Sequence, residues 1–343
     1  MSCGVRVPYY ANVGESTVYS FDSKAAVTDT VYFADGVVYN KQFDFEPRIS
    51  LSLIINENNS IKANYAKHTQ ALHLVTNSES PFTSLDVWMP ISPNIKHQVA
   101  HQYSLSHFYT FRKVPVTFST EVFYKTLSNQ IDYEEHANML LNPNIEGELI
   151  FGKGWSYGLE LLLRKNSGNF EGWIGYTLAK AYRQFKEINK GEPFSASFDR
   201  LHDFVLYGSY NLSKRWKISG SWLYATGATY TEPTGFFKYQ NYTIPIYSEK
   251  NNERLPDYHR LDLMLSFRIN KRNEAMYKHQ ITVSVFNVYA RENPFNITYN
   301  KVKKTNTDEY EVPSDAFSKR DIVHTELYLL KVVPSLSYIF KVN

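Results

Sequence analysis

The stretch LDLMLSFRI, residues 261–269, places an apolar side chain at every second position, and most of the intervening side chains are polar. This period of two is typical of a β-strand with one apolar face, because successive side chains of a strand point to opposite faces. The same alternation recurs at 48–55 (RISLSLII), 157–164 (YGLELLLR) and 216–224 (WKISGSWLY). The pattern therefore predicts an all-β chain.

Extending the alternation along the sequence predicts about twelve strands. They lie near 4–10, 46–57, 60–68, 97–110, 114–130, 152–165, 169–181, 201–212, 215–226, 256–270, 279–290 and 323–341. Short polar turns alternate with long connections, which lie at about 11–45, 69–96, 131–151, 182–200, 227–255 and 291–322. An up-and-down antiparallel sheet puts every second connection at the same end. The sequence therefore predicts short turns at one end of the sheet and long loops at the other.

The amino-acid composition limits the classes of protein to which the chain can belong. The 343 residues include 27 Tyr, 22 Phe and 5 Trp, and the net charge is only +3. Such a balance argues against nucleic-acid binding, and a single cysteine excludes an internal disulfide and a cysteine-based zinc site. No apolar run approaches the roughly 20 residues of a membrane-spanning helix. Long alternating strands, unequal connections and abundant aromatic residues are instead typical of an antiparallel up-and-down transmembrane β-barrel.

A soluble β-sandwich, solenoid or propeller that binds glycans is an alternative, with the apolar face as a dry core. Many of the expected strands exceed ten residues, whereas strands of globular proteins are usually about five or six residues long. The chain also lacks the fixed-period repeat that a solenoid or a propeller requires. These two features favour the barrel.

Several motifs occur in the order and spacing of one known family. They are FDRLHDF at 198–204, RLPDYHRLD at 254–262, VFNVYARENP at 285–294, and further upstream EPR at 46–48, KANYA at 62–66 and SPNIK at 92–96. Together they resemble the barrel of TonB-dependent outer-membrane receptors, and the resemblance runs over essentially the whole chain. Each motif alone is weak, but the ordered set is specific.

The resemblance implies a 22-stranded barrel plugged by an N-terminal domain. Twelve strands would be an open half of it, so we expect residues 1–343 to be a single partial domain, the C-terminal portion of the barrel without the plug. GVRVPYY at 4–10 looks like a strand from within the barrel of such receptors, so we expect the sequence to begin inside the barrel. The first residues lack a signal peptide. We expect a fragment of a receptor, located in the cell outer membrane.

The resemblance also implies the function and the partners. A complete receptor would take up a scarce nutrient, such as siderophore-iron, haem, a vitamin or an oligosaccharide, and this chain would supply wall and extracellular loops. Implied partners are outer-membrane lipid and lipopolysaccharide, the barrel-assembly machinery, the small-molecule or oligosaccharide ligand and, through the missing N-terminal part, the TonB complex. A self-closing twelve-stranded barrel, porin-like or enzymatic, is an alternative function, and the soluble glycan-binding sandwich is a second.

Charged residues in the family motifs invite a catalytic interpretation, but alternation along a strand places them on one face rather than around a pocket. The resemblance gives structural roles to Asp199, Arg200, His202, Arg254, Pro256, Tyr258, Arg260, Asp262, Asn287 and Phe340. Arg260 and Asp262 are two apart and are expected to face the lumen. Phe340 is expected to replace the aromatic residue with which the family usually ends, since this chain ends on Asn343. The sequence offers no catalytic, cofactor or metal motif, so we predict no enzyme activity.

The most aromatic connection, 227–255, is the candidate for ligand contact, because its rings could stack on a sugar or an aryl chelate. Its aromatic residues are Tyr230, Phe236, Phe237, Tyr239, Tyr242 and Tyr247. The alternative is that they only pack loop against loop. His101 and His107 could contact a metal chelate if they face the lumen, and the basic stretch 301–304 (KVKK) could meet lipid A phosphates or simply be solvated.

Overall fold

A computed structural model describes residues 1–75, 87–135, 137–138, 141–239, 242–270, 277–301 and 322–342 of the chain. These residues are nearly all in β-strands and their connections, with two short 3-10 turns at Ile145–Glu148 and Asn189–Gly191. Within these ranges, no helix is long and apolar enough to cross a membrane.

Twelve strands pair in sequence order into one antiparallel sheet. They are β1 (Ser2–Arg6), β2 (Glu46–Asn56), β3 (Asn59–Gln70), β4 (Gln98–Thr110), β5 (Val116–Tyr133), β6 (Leu149–Lys165), β7 (Phe170–Gln184), β8 (His202–Asn211), β9 (Trp216–Ala225), β10 (Tyr258–Arg268), β11 (Tyr277–Phe286) and β12 (Val333–Val342). The two-residue strand Phe194–Ser195 adds to β7. In the described part of the chain β1 and β12 do not pair with each other, so the sheet is open.

The all-β, antiparallel, twelve-stranded prediction is confirmed, and most strand bounds agree within a few residues. Two strands differ. The expected strand 323–341 is divided into Ile322–Tyr328, which belongs to a loop hairpin, and β12. The expected strand 4–10 is divided into β1 and Tyr9–Val13, which pairs elsewhere. Pro334 and Pro8 lie close to these breaks, and proline cannot donate to a strand ladder.

The long connections share one end of the sheet, here called the loop end, and the short turns share the other, the turn end. The loop-end connections are not irregular, because most of them fold into hairpins of their own. These hairpins pair Tyr9–Val13 with Val38–Phe43, Ser16–Phe21 with Val27–Phe33, Leu72–Val75 with Val87–Pro90, Thr229–Tyr230 with Glu253–Arg254, Gly235–Tyr239 with Tyr242–Ile246, and Pro294–Lys301 with Ile322–Tyr328.

The two faces of the sheet have opposite chemistry. We call the face with the apolar side chains the outward face and the opposite one the inward face. On the outward face, one cross-strand row consists of Leu261, Trp222, Leu206, Ile174, Leu163 and Phe118. On the inward face another row consists of Ser106, Glu121, Glu160, Thr177 and Asp203. The apolar face is the uncovered one: Tyr124 is 46% exposed and Val122 49%, whereas the inward Ser106 is 2% exposed. A water-soluble protein buries its apolar face, so this arrangement fits a wall that meets lipid.

Aromatic residues border the outward face at two levels. Near the loop end a cross-strand row contains Tyr65, Tyr103, Tyr124 and Tyr157. Towards the turn end Phe118 pairs with Tyr109, and Trp216 packs on Phe267 with ring centroids 4.4 Å apart. On β5 the two levels are six residues, or about 20 Å, apart along the strand. Aromatic residues at two levels of the outward face are typical of the girdles that border the lipid-facing band of a membrane barrel.

Apolar cores lie at the loop end rather than within the wall. One cluster contains Val75, Met89, Ile95, Ile131, Tyr133 and Leu149, and a second contains Ile150, Phe185, Ile188 and Phe194. The first cluster packs the hairpin Leu72–Val75/Val87–Pro90 against the loop-end extensions of β5 and β6. The loops therefore have hydrophobic cores that give them fixed positions.

Candidate ligand-binding site in the loops

A buried carboxylate joins two loop-end segments that are far apart in sequence. Asp132, at the end of β5, is 2% exposed and is paired with Arg183 Nη1 at 3.1 Å and with Lys250 Nζ at 2.8 Å. Arg183 also donates to the Ile131 carbonyl at 2.7 Å. Lys250 belongs to the connection after β9, so its ion pair fastens that connection onto the wall.

Two asparagines extend this junction. The Asn189 side chain accepts the Lys250 backbone N–H at 2.8 Å. Asn251 donates from Nδ2 to the Ser195 carbonyl at 2.7 Å, and its backbone N–H donates to Thr231 Oγ1 at 3.1 Å. The connections after β7 and after β9 are thus held together by hydrogen bonds as well as by charge.

The family-motif residues Asp199 and Arg254 meet beneath these loops. Arg254 is ion-paired with the Asp199 carboxylate and donates from Nη1 to the Asp199 carbonyl at 2.9 Å and to the Gly227 carbonyl at 3.0 Å. Asp199 is 2% exposed and also accepts the Ala181 N–H at 2.7 Å. Both terminal nitrogens of Arg254 and both carboxylate oxygens of Asp199 thus bond protein atoms, which is a structural arrangement.

Arg260, Asp262 and Asn287 form a second motif cluster on the inward face. Arg260 donates to Asp262 at 3.0 Å and to the Tyr258 hydroxyl at 2.8 Å, and its guanidinium lies 4.0 Å from the centre of the Phe286 ring. Asp262 accepts the Asn287 N–H at 2.9 Å. Asn287 is fully buried at a φ of 54° and bonds the backbone of Arg291 through both its side-chain atoms. The structure thus places Arg260 and Asp262 on one face, as expected.

The remaining motif residues and the histidines have local partners. His202 Nδ1 lies 2.9 Å from the Tyr176 hydroxyl, and Phe340 is exposed with its ring stacked on that of Tyr277. His101 bonds the Tyr65 hydroxyl and His107 bonds Asn59. Both histidines lie on the outward face, so the suggestion that they meet a chelate in the lumen is wrong.

The aromatic connection 227–255 contains both packed and exposed rings. Tyr230 is buried in the short pair with Glu253–Arg254, whereas Phe237 and Tyr247 are exposed. Phe236, Tyr239 and Tyr242 lie on the hairpin Gly235–Tyr239/Tyr242–Ile246, and their side chains fall outside the described part of the structure. Ligand contact by this set stays a prediction. Of the basic stretch 301–304, positions 302–304 also fall outside the described residues.

A cavity of about 470 Å³ opens between the loop-end segments after β7, β9 and β11. Its lining includes Phe198, Arg200, Pro256, Tyr258 and Phe286. Phe198 is 69% exposed, which leaves its ring free to contact a bound molecule. Sequence reasoning gave Arg200, Pro256 and Tyr258 structural roles and missed Phe198 and Phe286. For Phe198, the signal in the sequence was its position two residues before Arg200, which pairs an aromatic ring with a cation.

A buried histidine pair lies at the base of the first loops. His73 is fully buried, and its ring lies against the backbone of Lys96. His97 Nδ1 lies 2.7 Å from Asp44. Burial lowers the pKa of His73 below its ordinary value of 6.5, and His97 lowers it further. Burial also lowers the pKa of His97, although Asp44 opposes that shift. Both imidazoles therefore favour the neutral form. No group of three or more metal-ligating side chains occurs within the described ranges.

An open antiparallel sheet with an apolar outward face, a polar inward face and structured loops at one end has the architecture of part of a membrane β-barrel wall. The chain matches the family model described as TonB dependent receptor-like, beta-barrel, over residues 4–288. It therefore belongs to this family, whose members are outer-membrane receptors and transporters rather than enzymes. A comparison with curated proteins gave no match.

Solved structures of similar fold belong to receptors and a transporter whose chains are longer than this one. The closed form of the ferric-catecholate import receptor Fiu from E. coli K12 has a TM-score of 0.56 at 14% identity and covers 99% of this chain. The siderophore receptor PiuA from Acinetobacter baumannii has a TM-score of 0.54 at 13% identity and covers 92%. The FrpB iron transporter from Neisseria meningitidis has a TM-score of 0.54 at 11% identity and covers 99%. This chain spans only 42%, 38% and 42% of those three proteins.

Proposed function

We propose that this chain forms the wall and the extracellular loops of an outer-membrane receptor that takes up a scarce nutrient, an iron chelate. The family match over residues 4–288 is the observation that carries the proposal. The three structures named above are titled as receptors or transporters of a ferric catecholate, a siderophore and iron. Their shared ligand class supports a non-haem iron chelate over haem, a vitamin or an oligosaccharide.

The division of labour follows from the share of the receptors that the chain covers. We propose that residues 1–343 are the C-terminal portion of the barrel, and that a plug and a TonB-contacting segment act with it in the whole receptor. Outer-membrane lipid, lipopolysaccharide and the barrel-assembly machinery are the other proposed partners. The loop end is then extracellular and the turn end periplasmic.

The cavity beside Phe198 and Arg200 supports an anionic, aromatic ligand. An arginine presents five donors in a planar fork that suits carboxylate or catecholate oxygens. The exposed ring of Phe198 and the half-buried ring of Tyr258, which line the same cavity, offer flat surfaces for stacking on an aryl group. The ion pairs of Asp132 and Arg254 keep the surrounding loops in place before the ligand arrives.

Binding of iron chelates by the full chain, folded in a neutral detergent, tests this function. The probes are a ferric catecholate, ferripyoverdine and haem, and quenching of tryptophan fluorescence gives the affinity. We expect saturable binding of a ferric chelate and about tenfold weaker binding for Arg200→Gln, because a hydrogen bond to a charged group is lost. Arg112→Gln, at the turn end, is the matched control and should bind as the unmodified chain does.

Two results would contradict the proposal. Saturable binding of haem, with no binding of the ferric catecholate or of ferripyoverdine, would show that the ligand class is haem instead. Failure of all three probes to bind a chain that is folded, as judged by β-type circular dichroism and heat-modifiable gel mobility, would refute the receptor function for this half of the barrel.

A further inference from the structure

The short turns carry a row of positive charges along the turn end of the wall. We call the connections 57–58, 111–115, 166–169, 212–215 and 269–270, together with the strand residues that flank them, the turn rim. Among the described residues of the rim, Glu57 is the one carboxylate. The cations of the same set are Arg112, Lys113, Lys165, Lys214, Arg215 and Arg268. Since the whole chain has a net charge of only +3, positive charge is concentrated at this end.

Hydrogen bonds join each turn of the rim to the next. Asn58 Nδ2 donates to the Thr110 carbonyl at 2.6 Å and so joins the first two turns. Backbone amides make the other links: Asn166 donates to Pro115 at 3.2 Å, Asn211 to Asn169 at 2.8 Å and Arg268 to Arg215 at 2.8 Å. The rim is therefore one continuous hydrogen-bonded edge, and its cations keep fixed positions relative to one another.

Two of the cations are held by carbonyl groups, which orient a charge without cancelling it. Lys165 Nζ donates to the Phe170 carbonyl at 2.8 Å. Arg215 donates from Nε to the Arg268 carbonyl at 2.9 Å and from Nη2 to the Ile269 carbonyl at 3.0 Å.

The carboxylate of the rim cancels little of this charge. Arg112 lies 3.7 Å from the Glu57 carboxylate, but the two side chains are 71% and 91% exposed. An ion pair between side chains so exposed to water is weak. The rim thus presents a positive field to its surroundings.

Two lysines of the rim face water rather than lipid. Lys113 and Lys214 lie within turns, not on strands, and both are exposed. Each lies beyond the nearest ring of the turn-end aromatic level, which is Tyr109 for Lys113 and Trp216 for Lys214. Aromatic rings of this kind mark the boundary between the lipid band and water. The two ammonium groups are therefore available to a partner in the aqueous compartment.

The spacing of the turns indicates the shape of that partner. Neighbouring turns of an up-and-down sheet are two strand spacings, about 10 Å, apart. The turn 166–169 lies between the turns of Lys113 and Lys214, which are thus about 20 Å apart. One small anion cannot reach both lysines, and a single exposed cation contributes little. An extended polymer with many anionic groups can contact several turns at once, and the contacts then reinforce one another.

We propose that the turn rim binds an extended, carboxylate-bearing polymer, which is the chemistry of cell-wall peptidoglycan. The proposal rests on the outer-membrane location proposed above, which makes the turn end periplasmic and places it opposite the cell wall. Carboxylates suit the rim because lysine and arginine donate charge-assisted hydrogen bonds to them. The position of Lys113 and Lys214 beyond the aromatic level favours this polymer over the head groups of the adjacent leaflet.

Co-sedimentation with purified peptidoglycan sacculi tests the proposal, with the full chain folded in a neutral detergent. The rim variant is K113Q/K214Q. The matched control, K24Q/K186Q, removes the same charge from exposed positions at the loop end. A second arm uses sacculi whose carboxylates have been converted to amides. An exposed ion pair contributes up to about fivefold to binding, so two lysines contribute roughly 25-fold.

We expect the rim variant to bind sacculi roughly 25-fold more weakly than the unmodified chain, whereas the control variant binds as the unmodified chain does. The unmodified chain should bind the amidated sacculi less tightly. Equal binding by the rim and control variants, undiminished binding to amidated sacculi, or no binding of the unmodified chain to sacculi would overturn the proposal. A loss that appears on phosphatidylglycerol vesicles and not on sacculi would also overturn it, since the rim would then bind lipid.

Heat-modifiable gel mobility shows that each variant is folded. If K113Q/K214Q fails this check, Lys214→Gln alone should weaken binding about fivefold, and no change would count against the rim. Chelate binding is measured separately with Arg200→Gln, so failure of the receptor function leaves the sacculus result interpretable.

Discussion

Replacing Asp132 by asparagine should release the connection after β9 from the wall. The substitution keeps the shape of the side chain and removes the one charge that binds both Arg183 and Lys250. Two cations would remain with a neutral amide between them. The backbone amides of Lys250 and Asn251, which donate to Asn189 and Thr231, should then open more often.

The size of the effect follows from burial. Breaking a buried ion pair by removing one partner costs about 3–5 kcal/mol. The side chains of Arg183 and Lys250 are still 21% and 19% exposed, so water can partly solvate them after the loss. We therefore expect the low end, about 3 kcal/mol, which is roughly a 100-fold increase in the opening constant of this loop.

Amide hydrogen exchange at Lys250 and Asn251 measures that opening constant directly. Exchange in the wall strands should stay unchanged, since these report the global stability and not the local opening. Glu249→Gln removes an exposed carboxylate next to Lys250 and is the matched control, with exchange like the wild type. Unchanged exchange at Lys250 in Asp132→Asn would refute the claim that this carboxylate fastens the loop.

Three further predictions concern the loops and the terminal strand. The neutral imidazole of His73 is favoured in the fold, so the unfolded state binds more protons just below pH 6.5 and the hairpin Leu72–Val75/Val87–Pro90 should loosen as the pH falls through that region. Hydrogen exchange, corrected for the intrinsic exchange rates at about pH 7.5 and about pH 5.5, tests this; the dependence should weaken in His73→Phe, with the remainder due to His97, and an unchanged dependence would contradict the role of His73. In Gly227→Ala the new Cβ would lie 1.6 Å from the Leu255 carbonyl oxygen, so urea unfolding should show a loss of about 2 kcal/mol, and equal stability would contradict the geometry. Phe340→Ala removes the ring that stacks on Tyr277, so the yield of heat-modifiable protein assembled into outer membranes should fall. An unchanged yield would show that assembly does not depend on Phe340.

The wall could be predicted from the sequence because its physics is local. A strand between lipid and a polar lumen must alternate, and a stretch such as 261–269 shows that alternation without reference to any other part of the chain. The loop hairpins could not be predicted in the same way. Their strands are short and lack a lipid-facing side, so Leu72–Val75 and Gly235–Tyr239 carry little periodic signal.

The candidate sites depended on register and on distant contacts. Lys250 reaches a carboxylate 118 residues earlier in the chain, and no local pattern links the two. Asp199 and Arg254, in contrast, were identified through their motifs, and the structure adds that the two motifs bind each other.

The central claim, that the apolar face of this wall meets lipid and the opposite face does not, can be tested with two native tryptophans. Trp222 lies on the outward face in register with Leu206, and Trp173 lies on the inward face in register with Tyr207. Two single-tryptophan variants of the full chain would be folded into phosphatidylcholine vesicles whose acyl chains carry bromine, a quencher of tryptophan fluorescence. We expect strong quenching of Trp222 and weak quenching of Trp173. Equal quenching, or stronger quenching of Trp173, would contradict it.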